Sequence, residues 1–180
     1  MHKTLRLALL TLIISVSTVA SAKDGDSAAQ AAFKKLLSLN GVWKGVFSNG
    51  REHTVTYRTT AGGTALVETW ALSPTHESMT IYHMDGTRLI ATHYCPQGNQ
   101  PRLEYVAAKD PNQFEFKFFD GSNLGVLDRT HQHVFRTKIL PDGTIRRGEI
   151  YVANGLSIAE ADKIKDEEVV VYSRIEKQTR

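Results

Sequence analysis

A single cysteine, Cys95, stands in a chain of 180 residues, so no disulfide within the chain can staple the fold. Stability has to come from a packed core, and Cys95 is either a small buried apolar residue or a reactive thiol. Charge of one sign is equally scarce. Basic residues number 22 and acidic ones 19, and two of the basic residues, Lys3 and Arg6, fall in a segment with the pattern of an export signal. Without those two, 20 face 19, a net charge of about +1 that gives no case for nucleic-acid binding. The long apolar run, residues 7–19 (LALLTLIISVSTV), falls short of the roughly 20 residues a membrane-crossing helix needs. There is no repeat of solenoid or propeller period, no low-complexity tract and no interdomain linker. No serine sits in a Gly-x-Ser-x-Gly elbow, which removes the usual signature of a nucleophilic hydrolase.

What the chain does have begins with that N-terminus. Lys3 and Arg6 give a positive start, residues 7–19 an apolar middle, and Ala20-Ser21-Ala22 the small residues a signal peptidase requires. The cut is placed after Ala22, before the polar Lys23-Asp24-Gly25-Asp26, with no lipobox cysteine beside it. Residues 1–22 thus read as a cleaved signal peptide and residues 23–180 as one barrel domain, periplasmic or secreted and without stable membrane insertion once cleaved. Residues 26–39 (DSAAQAAFKKLLSL) predict a helix. Asp26 or Ser27 can cap it, Ala32, Phe33, Leu36 and Leu37 form a stripe at helical spacing, and Asn40-Gly41 ends it.

From residue 42 the hydrophobic period changes from 3.6 to 2. Strands are expected near 42–48, 52–59, 64–72, 76–84, 87–95, 102–108, 112–119, 131–140, 144–152 and 167–175. Asn49-Gly50, Gly62-Gly63, Asp85-Gly86, Pro111-Asn112 and Asp142-Gly143 mark tight connections between them. Links this short make neighbours antiparallel. The expected fold is therefore all-β, an antiparallel up-and-down barrel of about ten strands with the N-terminal helix covering one end. Two longer segments, 120–128 and 154–167, can cover a barrel mouth, the second with a helical turn around 159–164.

Helix, then Gly41-x-Trp43, then a strand meander resembles the calycin group of lipocalins and fatty-acid-binding proteins. Together with Glu68-Thr69-Trp70, Thr92-His93-Tyr94-Cys95 and Asn99-Gln100-Pro101-Arg102, it more closely resembles the lipocalin-like proteins of uncharacterised function that bacteria export. The resemblance covers about residues 35–175. It implies a barrel with a ligand cavity and makes Trp43 the tryptophan that packs across the closed end. The chain departs from that pattern in lacking a second lipocalin signature and a disulfide, and in suiting ten strands better than eight. Haem-binding barrels that open Gly-x-Trp-x-Gly take their iron ligand from the C-terminal strands, and no histidine follows His133 here.

Strand parity selects the residues that can face a cavity. Leu66, Glu68, Trp70 and Leu72 share one face, where an acid between apolar neighbours is a ligand-binding or acid–base carboxylate, lies outside, or pairs with a buried arginine. Leu89, Ala91, His93 and Cys95 share another face, opposite Ile90, Thr92 and Tyr94. His93 is a polar fixing group or a satisfied structural histidine, and the Asn99 and Gln100 amides can rim an opening. His131-x-His133 is the sharpest chemical signal, two imidazoles at a spacing that lets both reach one metal, with His93, His83 or Glu68 for a third ligand. Phe114, Phe116 and Phe118 form a stripe answered by Val134 or Phe135, and it lines a cavity or fills a core.

The reading best supported is a binding module for a small apolar or amphipathic molecule, with Glu68, Trp70, His93, Tyr94, Asn99, His131, His133 and Phe116 as ligand-binding residues. No cofactor is expected beyond a metal ion on His131, His133 and His93. Two alternatives stay open: a metal-dependent enzyme using those histidines, and a filled barrel whose loops contact an envelope partner. A single β-bulge would exchange inward and outward faces beyond it.

Overall fold

A computed structural model describes residues 27–176; residues 1–26, which include the expected signal peptide 1–22, and residues 177–180 lie outside the described residues. The chain opens with helix α1 (Ala28–Leu36), extended by a tighter 3-10 turn over Leu37–Leu39. Ser27 caps it: its Oγ accepts the Gln30 amide at 3.2 Å, and Gln30 Oε1 accepts the Ser27 amide at 2.8 Å. That reciprocal pair satisfies two amides a helix start would otherwise leave free.

Ten strands follow: β1 (Gly41–Val46), β2 (Glu52–Thr60), β3 (Ala65–Ser73), β4 (His76–Asp85) and β5 (Arg88–Tyr94). They continue as β6 (Gln100–Val106), β7 (Gln113–Ser122), β8 (Thr130–Ile139), β9 (Ile145–Ala153) and β10 (Glu168–Glu176). Each pairs antiparallel with its neighbours in sequence, and β10 pairs with β1, so the sheet closes without an edge. The result is the expected ten-stranded barrel with an N-terminal helix, compatible with a calycin-like fold. A short helix α2 (Ile158–Ala161), with its own Ser157–Glu160 capping box, interrupts the β9–β10 connection.

Because strands alternate in direction, the turns divide between two ends. At one end α1 enters, and its buried Phe33 and Leu36 join Leu39 in the core below the short turns. Trp43 is buried there, donates from Nε1 to the Leu39 carbonyl at 2.8 Å, and carries the Arg174 guanidinium 4.2 Å from its ring centre. Arg174 also donates to the Asn40 and Ser38 carbonyls, tying β10 to the exit of the helical segment. This is the closed end. The other end carries the longer connections 122–130 and 154–167, and it stays open.

Gly45 is set by packing. A Cβ there would come within 2.5 Å of the ring of Tyr172, the residue paired with Gly45 across the β1–β10 seam. Bulges shift the register in four strand pairs, and one of them falls at His133, between Gln132 and Val134. Beyond it Phe135 faces inward and stacks on Phe116 with ring centres 4.6 Å apart, while Val134 joins Ile150 and Val152 under α2 on the outside. The phenylalanine stripe is thus answered by Phe135, and at Phe114 and Phe116 it is filled core.

Candidate functional site

The interior changes character halfway up the barrel. Below lie Leu66, Leu89, Leu103, Phe114, Phe116 and Phe135, all almost inaccessible to solvent. Above them sits a charged layer. Glu68 is fully buried and accepts hydrogen bonds from Trp70 Nε1, Tyr82 Oη and, at 3.3 Å, Arg147 Nη1. The sequence reading that Glu68 pairs with a buried arginine is the arrangement found. Arg147, 2 % exposed, also donates from Nη1 to Thr137 Oγ1 at 3.1 Å and from Nε to Glu149 Oε1 at 2.9 Å. Its guanidinium lies 4.0 Å from the Phe135 ring centre and 5.5 Å from that of Trp70.

One buried cation therefore faces two carboxylates. Desolvation makes each charge costly on its own, so the three are retained only together. Burial raises the Glu149 carboxyl above its usual range, with the Arg147 charge pulling the other way. The layer is not closed by protein alone: Arg147 Nη2 and both amide atoms of Gln132 have no partner among the described residues.

Above this layer the open end holds a cavity of about 310 Å³. Phe47, Trp70 and Leu72 give it apolar walls, and His93, Tyr151 and Glu149 converge from β5 and β9. His93 is 3 % exposed, contacts Thr80 Oγ1 through Nδ1 at 3.0 Å and faces Tyr151 Oη from Nε2 at 3.4 Å. Burial, with the Arg147 charge behind it, lowers its pKa to about 3, so the imidazole is neutral across the physiological range. Burial and the nearby Glu149 charge push the Tyr151 phenol well up, leaving it protonated. Cys95 is half-buried at the rim and burial raises its thiol, which disfavours the thiolate needed for nucleophilic work. A second cleft of about 470 Å³ shares Glu149, Tyr151 and Glu168 with the first and adds Asp166.

The remaining sequence candidates scatter. Tyr94 stands on the opposite face of β5 from His93 and is 42 % exposed, outside the barrel, as strand alternation requires. Asn99 is buried but structural: Nδ2 donates to the Thr130 carbonyl at 2.8 Å, and its backbone carbonyl accepts the Cys95 amide. Phe116 belongs to the packed half. His131 and His133, with ring centres 5.9 Å apart, do not join His93. His131 Nδ1 meets Asn154 Oδ1 at 2.9 Å, and His133 Nε2 meets Asp162 Oδ1 at 2.9 Å beneath the α2 segment. His83 has outward parity on β4, and Glu68 is held by Arg147. Among the described residues, no three His, Cys, Asp or Glu side chains come together as a metal-binding group.

Arg147, Glu149 and Tyr151 were the residues missed by sequence reasoning. They alternate on β9 with Gly148, Ile150 and Val152, and ordinary patterning turns the apolar set inward. Here α2 covers Ile150 and Val152 on the outside, which frees the polar set to face the interior. The alternation was the available signal, and it reads with the opposite sign. No protein-family model matches the chain, and no curated protein matches it. Among the described residues, no helix is long and apolar enough to cross a membrane.

Proposed function

We propose that this is an exported, lipocalin-like carrier that holds a small amphipathic molecule in the open end of its barrel. The observation that carries the reading is the cavity of about 310 Å³, with Phe47, Trp70 and Leu72 as apolar walls and His93, Tyr151 and Glu149 as convergent polar groups. Few polar groups on an apolar lining fix a ligand's orientation while burial supplies the affinity. Export rests on the Lys3/Arg6 start, the apolar stretch 7–19 and the Ala20-Ser21-Ala22 site. The calycin likeness rests on α1, Gly41-x-Trp43 and the closed antiparallel meander. Of the sequence candidates, Trp70 and His93 are the ligand contacts in this reading, and Glu68 supports them through Trp70.

Native and denaturing mass spectrometry of the protein recovered from the periplasm test this. The expected result is a chain that starts at Lys23 and carries a mass excess lost on denaturation. A chain recovered uncleaved from the cytoplasm overturns the export reading. A cleaved chain of bare polypeptide mass that also gains nothing when incubated with decanol overturns the carrier reading.

A further inference from the structure

We propose that His131 and His133 form a two-histidine site for a soft monovalent metal ion, Cu(I). Neither residue lines the cavity, so the site is independent of the carrier reading.

The hydrogen bonds around the pair fix which nitrogen of each ring holds the lone pair. Asn154 donates from Nδ2 to the Val126 carbonyl, so its Oδ1 is the acceptor that meets His131 Nδ1 at 2.9 Å. His131 therefore carries its proton on Nδ1 and a lone pair on Nε2. Burial lowers its pKa, which keeps the ring neutral. The Asp162 carboxylate accepts from His133 Nε2 at 2.9 Å, so the neutral His133 ring has its lone pair on Nδ1. The two residues are 5 % and 2 % exposed, and both lone-pair nitrogens are buried without a partner among the described residues. An acceptor left buried and unpaired is uncommon and calls for a ligand. A ring N–H held by an amide or carboxylate oxygen, with the opposite nitrogen free, is how a histidine is oriented for a metal.

The separation fits one ion. An ion about 2.0–2.1 Å from an imidazole nitrogen lies about 3.2 Å from that ring's centre, so two rings sharing it stand at most about 6.4 Å apart. The His131 and His133 ring centres are 5.9 Å apart, with their planes inclined at 74°. That spacing opens the angle at the ion beyond the tetrahedral value and toward a linear one.

The ligand set then selects the ion. Among the described residues no third His, Cys, Asp or Glu joins the pair, which leaves zinc short of the ligands it takes. A monovalent d10 ion is satisfied by two imidazoles and needs no carboxylate ligand to cancel a second charge. Charge nearby points the same way. The cleft of about 160 Å³ that reaches His133 and Asp162 is also lined by Lys117, Arg136 and Lys165, which disfavour a dication more than a single charge. Phe118, with its ring centre 4.6 Å from that of His131, gives the pair an apolar flank.

Anaerobic competition of the purified protein against bicinchoninate for Cu(I) tests the site. The wild type should withdraw one Cu(I) per chain, and His131→Gln or His133→Gln should weaken this by roughly 100-fold or more. Asp162→Asn should cost about tenfold, through the orientation of His133 alone. Cys95→Ser removes the one competing thiol and should change nothing. A readout on the unaltered protein comes from 15N NMR with Ag(I), a redox-inert stand-in. His131 Nε2 and His133 Nδ1 should shift on binding while His131 Nδ1 and His133 Nε2 keep their protons. Cu(I) binding that survives both histidine variants or disappears with Cys95→Ser overturns the proposal. So does the absence of Cu(I) binding, or ring nitrogens that Ag(I) leaves unmoved.

Discussion

The two halves of the barrel are built by the same ten strands, yet they solve different problems. In the closed half the buried inward side chains are mainly apolar, from Leu66 through Phe116 and Phe135 to the Phe33 and Leu36 of α1, and they form one packed cluster. In the open half the same strands deliver Glu68, Arg147, Glu149, His93 and Tyr151 inward, and the space is not full. The difference teaches where stability and recognition are separated along the barrel axis. A half packed mainly with apolar side chains can tolerate a neighbouring half that hosts buried charge, because the strands are already held in place below it.

The boundary is the most sensitive place to break this arrangement. Arg147→Met should cost about 3–5 kcal/mol in chemical denaturation, because Glu68 and Glu149 would be left buried without their cation. Replacing Glu68 by Gln and Glu149 by Gln in the same chain should restore much of that loss. A single Arg147→Met cost below about 1 kcal/mol would mean that the charged layer is solvated and does not mark a boundary.

The closed half was largely legible in the sequence, and the open half was not. Period-2 alternation and the Asn-Gly and Asp-Gly turns place all ten strands near their observed ends, because local turn chemistry and burial agree there. The α1 stripe and its Ser27 cap are equally local. The site depends on two long-range facts that local patterning does not carry. The bulge at His133 resets parity on β8, so His131 and His133 turn to Asn154 and Asp162 rather than the interior. The α2 segment covers Ile150 and Val152, so the polar face of β9 becomes the inner one. Glu68, Trp70 and His93 face the interior, because no such inversion intervenes on their strands.

The open half should also be the acid-sensitive one. The His93 pKa falls from 6.5 to about 3 on folding, and that of His53 from 6.5 to about 4. Below pH 6.5 the unfolded chain takes up protons that the fold refuses. This contribution to stability is therefore complete above pH 6.5 and is lost progressively as pH drops toward 3. At about pH 4.5 His93 alone should cost roughly 2–3 kcal/mol relative to pH 7. Urea midpoints of the wild type and His93→Gln at the two pH values check this, and equal pH losses in both would remove His93 as the cause.

The mildest test is on the closed side. Ser27→Ala removes the α1 cap and should lower stability by about 1 kcal/mol. Decanol affinity should not change, since α1 lies at the far end from the cavity. A change in affinity would show that the two halves are coupled.

The seam between β1 and β10 carries a kinetic consequence. Gly45 and Tyr172 meet there, although almost the whole barrel sequence separates them. Until that pairing forms, the sheet has two unsatisfied edges, and its closure waits on the most non-local contact in the fold. High contact order of this kind slows folding and prolongs the lifetime of open, edge-exposing chains. The Arg174 grip on the α1 exit, by fastening β10 to the start of the sheet, would act chiefly on that final step.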